Sequence, residues 1–134
     1  SKRDKVAALL KEAKNQGVPM ENLTFSSDGQ GSWSKYDENG KLLKIGVSSV
    51  DTIIKDLAYL VNEAGFALEE VIPFGTSNVA RALEIEGLKG HIREGADADI
   101  LLVDDSLNLD TVIAGGKVMM RGGEIRVRGT YDER

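Results

Sequence analysis

The sequence contains no cysteine, which excludes disulfides and every thiolate metal site. It has no surplus of basic residues: 17 Lys and Arg stand against 22 Asp and Glu, for a net charge of −5. Without a basic stripe to neutralise phosphates, neither nucleic acid nor a membrane surface is expected as a partner. No apolar run reaches the roughly 20 residues of a transmembrane helix, and no signal peptide opens the chain. A cytoplasmic location is the resulting expectation. No methionine stands first; Ser1 lies almost at the start of a helical pattern, which fits a fragment, a processed chain or a trimmed tag alike.

What is present is a chain of 134 residues, 41% hydrophobic and 29% charged, the composition of an ordinary domain with one core. Its organising stretch is Leu23-Thr24-Phe25-Ser26-Ser27-Asp28-Gly29-Gln30-Gly31-Ser32. Leu23, Thr24 and Phe25 favour β structure and predict a short, buried strand. Two hydroxyls, a carboxylate and two glycines follow where the strand ends. In α/β proteins the C-terminal ends of parallel strands line the active site. A carboxylate there faces the pocket, and glycines on either side of Gln30 allow close approach of backbone and ligand. The competing reading is that Asp28-Gly29 is simply a turn.

In order along the chain, Val6, Leu9, Leu10 and Ala13 predict one face of a helix stopped at Gly17. Helix, short loop and strand make half of a repeating βα unit. Trp33 to Tyr36 and Lys41 to Ile45 flank Asn39-Gly40, a strong signal for a β-hairpin, placed as a flap over whatever Asp28 faces. Val50, Ile53, Ile54, Leu57, Ala58, Leu60, Val61 and Ala64 predict a broad apolar helix face, with Ser48 or Ser49 as cap and Gly65 as stop. A short helix runs from Leu68 to Ile72 before Pro73. Another follows Thr76 or Ser77, with Val79, Ala80 and Leu83 inward. From Gly87 onward, glycines punctuate short β-like runs: Ile100 to Val103, Val112-Ile113, Lys117 to Met120 and Glu124 to Val127. Gly115-Gly116 and Gly122-Gly123 each predict a hairpin. The division expected is residues 1–90 and 91–134, with the boundary near Gly87 to Gly95.

Thr76-Ser77-Asn78-Val79-Ala80-Arg81 and the run from Gly87 to Asp104, which includes Ala96-Asp97-Ala98-Asp99-Ile100, resemble the closing segment of the amidohydrolase superfamily. The resemblance implies an α/β fold: the last helix-strand-helix steps of a (β/α)8 barrel, then a small all-β tail belonging to a β-sandwich, with Ala98 to Val103 buried in it. Ser26 to Ser32, followed by the Asn39-Gly40 hairpin, is similar to the isoaspartyl (β-aspartyl) dipeptidases. Dihydroorotases and hydantoinases tend to carry a His after the Asp, where this chain has Gly29.

This likeness implies a metallo-dipeptidase that cleaves β-aspartyl dipeptides. Asp28 would touch one metal of a binuclear zinc centre and shuttle a proton between the attacking water and the leaving amine. Such water is nucleophilic because the ion lowers its pKa from about 16 to about 7. Ser32 would bind the substrate's α-carboxylate. A binuclear zinc centre of this superfamily also needs a His-x-His pair, a carboxylated Lys and two further His, whereas the single histidine, His91, reads as a solvated turn residue. Most zinc ligands are therefore expected outside this chain, which on its own would be inactive. The expected partners are the remainder of the enzyme or another copy, in a homo-oligomer. Two alternatives remain: an amidohydrolase acting on cyclic amides, and a non-catalytic assembly module. Trp33 and Tyr36 either cover the substrate or pack on their own strands. Met119-Met120 reads as sandwich core, and Arg126 and Arg128 as decoration of an exposed strand face.

Overall fold

A computed structural model describes residues 2–129. The first helix, α1 (Lys2–Asn15), carries Asp4 in its first turn and Lys14 in its last, as the helix dipole favours. It ends in a Schellman motif: Gly17 has φ +76, its N–H reaches Lys14 O, and Val18 N–H reaches Ala13 O. The buried stripe is not the one expected. Leu10 is buried with Ala7, while Val6 and Leu9 are exposed. The reason lies in what grips the helix. Arg3 pairs with Asp56 at 2.6 Å, Asp4 accepts from the Tyr59 hydroxyl, and Lys14 pairs with Glu70. Those contacts turn the 3, 7, 10, 14 stripe toward the following helices.

A 3-10 turn (Met20–Asn22) leads into residues 23–28, of which Leu23 to Phe25 were expected to form a short, buried strand. They are extended and alternate, with Leu23, Phe25 and Ser27 half-buried and Thr24, Ser26 and Asp28 exposed, yet they join no ladder. A strand is defined by its neighbours, and among the described residues none lies alongside. The hairpin follows as expected: β1 (Ser32–Tyr36) pairs antiparallel with β2 (Leu42–Val47). Its turn is held by Asp37, whose Oδ1 accepts from the Asn39 and Lys41 amides at 2.9 and 2.8 Å.

Helix α2 (Thr52–Asn62) starts later than expected and carries no side-chain cap. Ser49 donates instead to the Asp51 carboxylate, which also pairs with Lys55, while the Ser48 backbone is bonded to Gln30 and Gly31. Gly65, at φ +80, follows its last turn. Then come α3 (Leu68–Val71), a 3-10 turn (Ile72–Gly75) and α4 (Ser77–Ala82). The core consists of Ala7, Leu10, Leu57, Leu60, Phe66, Val71 and Phe74, with Met20, Leu23, Phe25 and Ile53 packed against it. Of the apolar face expected for α2, Leu57 and Leu60 are thus buried within the chain, while Val50, ahead of the helix, is 66% exposed. Leu83, expected inward, is 63% exposed because α4 ends before it; Asn78 and Ala80 are the buried residues of that helix.

The tail is one antiparallel sheet of β3 (Ile100–Val103), β4 (Leu109–Ala114), β5 (Lys117–Arg121) and β6 (Glu124–Ile125), in that order. Both Gly-Gly pairs have positive φ at each residue, as two-residue hairpin turns of type I′ require. Met119 and Met120 are half-buried. Leu101 and Leu102 are each 51% exposed rather than buried, because a single sheet layer covers neither of its own faces. Strand β6 stops at Ile125, so Arg126 and Arg128 lie beyond it, both exposed. Two features tie the tail to α2 and to the loop after α4. The Asn62 side-chain amide donates to Ser106 O at 2.9 Å, and the Lys89 ammonium reaches Asp97 and Asp99 at 2.8 and 2.5 Å. No helix among the described residues is long and apolar enough to cross a membrane.

Candidate active-site segment

The structure shows the turn read at Asp28-Gly29. Residues 28–31 form a tight turn, closed by the Gly31 N–H on Asp28 O at 2.8 Å. Gln30, third in the turn, has φ +62, and Asp28 itself has φ +48. Two non-glycine residues in the left-handed region within three positions store strain on the order of 1–3 kcal/mol each. Local hydroxyls hold that geometry. Ser26 Oγ accepts the Asp28 amide at 3.2 Å, and Ser27 Oγ accepts the Gly29 amide at 3.1 Å. The turn is closed against the end of β2 by the Gln30 N–H on Ser48 O and the Ser48 N–H on Gly31 O, both 2.9 Å. The Asp28 carboxylate rests on Gly31, where a Cβ would lie 2.5 to 2.7 Å from its atoms.

Ser32 is the first residue of β1, exposed and paired with Val47. It sits four residues beyond Asp28, at the base of the hairpin. Trp33 packs on its own hairpin, since a Cβ at the facing Gly46 would collide with the indole ring. Lys2 and Lys44 place their ammonium groups 5.5 and 5.7 Å from the ring centroid, within cation–π range. Tyr36 is 58% exposed.

Upstream, the segment is anchored from the Ile72–Gly75 turn and from α4. The Phe25 N–H donates to Phe74 O at 2.8 Å, and the two rings lie 5.3 Å apart. The Asn78 side-chain amide donates to Met20 O at 3.0 Å and to Leu23 O at 2.8 Å. Sequence reasoning gave Asn78 no role. The available signal was a polar residue beside Val79 and Ala80 on a helix expected to be buried, where a side-chain amide must find partners.

No three of the described His, Asp and Glu residues converge on a point that would hold a metal ion. Asp28 offers one carboxylate, and His91 is exposed in the turn after Gly90. A zinc site takes three or four protein ligands, so the described residues do not make one. An open apolar groove of about 410 Å³ flanks the segment, lined by Phe25, Ser26, Ser27, Ile53, Val79 and Leu83.

The profile of the amidohydrolase family matches residues 1–119. Among solved structures, the β-aspartyl dipeptidase of Fervidobacterium islandicum in complex with β-Asp-Leu superposes with a TM-score of 0.77 at 35% identity. That match covers 93% of this chain and 33% of the other. The N-acetylglucosamine-6-phosphate deacetylase of Pasteurella multocida shares the fold at 18% identity and a TM-score of 0.61, over 83% of this chain and 33% of that one. A deacetylase of the same name from Lysinibacillus sphaericus is 24% identical over 103 residues, 66% of this chain and 26% of that protein. The chain thus spans about a third or less of the length of these relatives.

Proposed function

The chain belongs to the amidohydrolase family, and from that premise we propose that it supplies one part of a cytoplasmic metallo-dipeptidase that hydrolyses β-aspartyl dipeptides. What carries the reading is Asp28, an exposed carboxylate held in a strained, locally braced turn. It sits in a chain whose fold follows the F. islandicum dipeptidase along nearly its whole length. Strain of this kind clusters at active sites, where a side chain must be aimed before substrate arrives.

In this reading Asp28 works on protons. Water attacks the side-chain amide carbonyl of the β-aspartyl residue, and Asp28 takes a proton from that water as the C–O bond forms. It then returns the proton to the α-amine of the second residue as the C–N bond breaks. The Ser32 hydroxyl donates to the substrate's α-carboxylate from the base of the hairpin. The zinc centre implied by the resemblance would be held by ligands outside this chain, to which Asp28 would add one oxygen. Catalysis then needs the remainder of the enzyme or another copy, in a homo-oligomer. Residues 1–90 form the barrel part and 91–134 the sandwich part.

The test is made in the complete enzyme with β-Asp-Leu as substrate. Asp28→Asn keeps shape but removes the proton acceptor, and turnover is expected to fall on the order of 10²- to 10⁴-fold. Ser32→Ala is expected to raise KM about tenfold, the worth of one hydrogen bond to a charged group. Retention of more than about a tenth of turnover by Asp28→Asn would refute the role. Preferential hydrolysis of dihydroorotate or hydantoin over β-Asp-Leu would refute the substrate.

A further inference from the structure

Residues 23–28 have the alternation of a strand but no ladder to hold them, so the position of Asp28 depends on contacts at other points of the segment. We infer that Asn78 is a positioning residue for Asp28, acting through the backbone of residues 20–23; the inference rests on the reading of Asp28 given above.

Asn78 is 4% exposed. Its amide nitrogen donates both protons, one to Met20 O and one to Leu23 O, at 3.0 and 2.8 Å. Carbonyls only accept, so the amide has one possible orientation there. Its oxygen faces Arg81 Nη2 at 3.4 Å, and that guanidinium also donates to Glu21 O. Two side chains of one short helix therefore hold three carbonyls, at 20, 21 and 23. Met20 O also closes the Met20–Asn22 turn by accepting the Leu23 N–H at 3.2 Å, and carbonyls at the end of such a turn draw partners from outside it. Two residues further on, the Phe25 N–H is fixed on Phe74 O. The extended chain beyond these points reaches Asp28 with little slack, and a displacement of about 1 Å at a reacting group can cost on the order of a hundredfold in rate.

Asn78→Asp is close to isosteric but sets a carboxylate against two acceptors, and Asn78→Ser removes the reach to both. In the 134-residue chain, amide hydrogen exchange read by NMR is expected to accelerate about tenfold at Phe25 in either variant, the loss of about one net hydrogen bond. Exchange at Leu60, in the middle of α2, is expected to stay within about twofold of the parent. Should Asn78→Asp fail to fold, Asn78→Ser carries the measurement. In the complete enzyme, Asn78→Ser is expected to lower kcat with KM unchanged, since the clamp aims the proton acceptor and touches no substrate. Unaltered exchange at Phe25, or equal acceleration at Phe25 and Leu60, overturns the inference. Loss of turnover in Asp28→Asn with unaltered exchange in Asn78→Ser removes the clamp and leaves the role of Asp28 standing. Faster exchange at Phe25 with Asp28→Asn fully active removes the role of Asp28, and with it any link from Asn78 to turnover.

Discussion

A methyl group on Gly31 would lie 2.5 to 2.7 Å from the Asp28 carboxylate, well inside van der Waals contact, and the carboxylate would have to move. Gly31→Ala is therefore expected to lower kcat of the complete enzyme by on the order of a hundredfold. Denaturation of the chain should change little, because the hairpin register beyond Ser32 is untouched; an unchanged kcat would show that the carboxylate has freedom the turn does not suggest. A second prediction concerns Lys89. Asp97 and then Asp99 hold its ammonium well above the usual lysine range, while Lys89, and after it the Gly115 N–H, hold Asp99 below the usual carboxylate range. A depressed carboxylate stabilises the fold above its unfolded pKa of about 4 and loses that contribution as pH falls through the folded value. A raised lysine stabilises below about 10.4 and loses its contribution as pH rises through the folded value. The tail should thus be insensitive to pH between those limits and weaken outside them. Both partners are more than a third exposed, so salt screens the effect. Urea midpoints at pH 6 and pH 2.5 should differ less in Asp99→Asn than in the parent, and equal differences would remove Asp99 from the acid limb.

Among the elements, α4 ends in a Schellman motif. The Ile85 N–H reaches Ala80 O at 2.8 Å and the Glu84 N–H reaches Arg81 O at 3.0 Å, with Glu84 at φ +59. That position favours glycine, and a side chain there costs roughly 1 kcal/mol. Glu84→Gly is expected to raise stability by up to about that amount, read as a higher urea midpoint with an unchanged slope; a lower midpoint would contradict it. Elements of this kind explain what was legible in the sequence. Gly17, Gly65 and the two Gly-Gly pairs announce their turns because positive φ selects glycine, and each stands where a helix or strand ends. Asn39-Gly40 located the hairpin for a similar reason. Glu84 and Gln30 adopt positive φ without glycine, so no residue type advertised them, whereas the turn at Asp28-Gly29 was readable from the pair itself. The stripe of α1 was misplaced because its inward face is chosen by polar contacts from Asp56, Tyr59 and Glu70, 53 to 56 residues away. In the candidate site, Asp28 and Ser32 were visible as a carboxylate and a hydroxyl around paired glycines. Asn78 was not, because its partners are backbone carbonyls that no sequence displays.

Across the molecule, several large apolar side chains among the described residues stay open to solvent. On β2, Leu43, Ile45 and Val47 alternate onto one face and are 57, 62 and 65% exposed; in the tail, Leu101 and Leu102 are each half-exposed. Leu101 and Leu102 point to opposite faces of their strand, while a contiguous apolar face such as that of β2 is normally covered by further polypeptide. The chain alone is accordingly expected to associate. Light scattering at micromolar concentration should report dimers or larger, and a 14.5 kDa particle across that range would show that these faces tolerate water. Salt should strengthen the association if apolar contact drives it, the reverse of its effect on the Lys89 pair.

The stacking of Trp33 on Gly46 has an optical consequence. The chain has one tryptophan, so emission excited near the red edge of indole absorption comes from the hairpin alone, one residue beyond Ser32. Two ammonium groups beside the ring make its colour sensitive to any tilt of the hairpin. Dipeptide titrated into the complete enzyme, where that enzyme has no other indole, would then be followed as a spectral shift, without a label or a turnover assay.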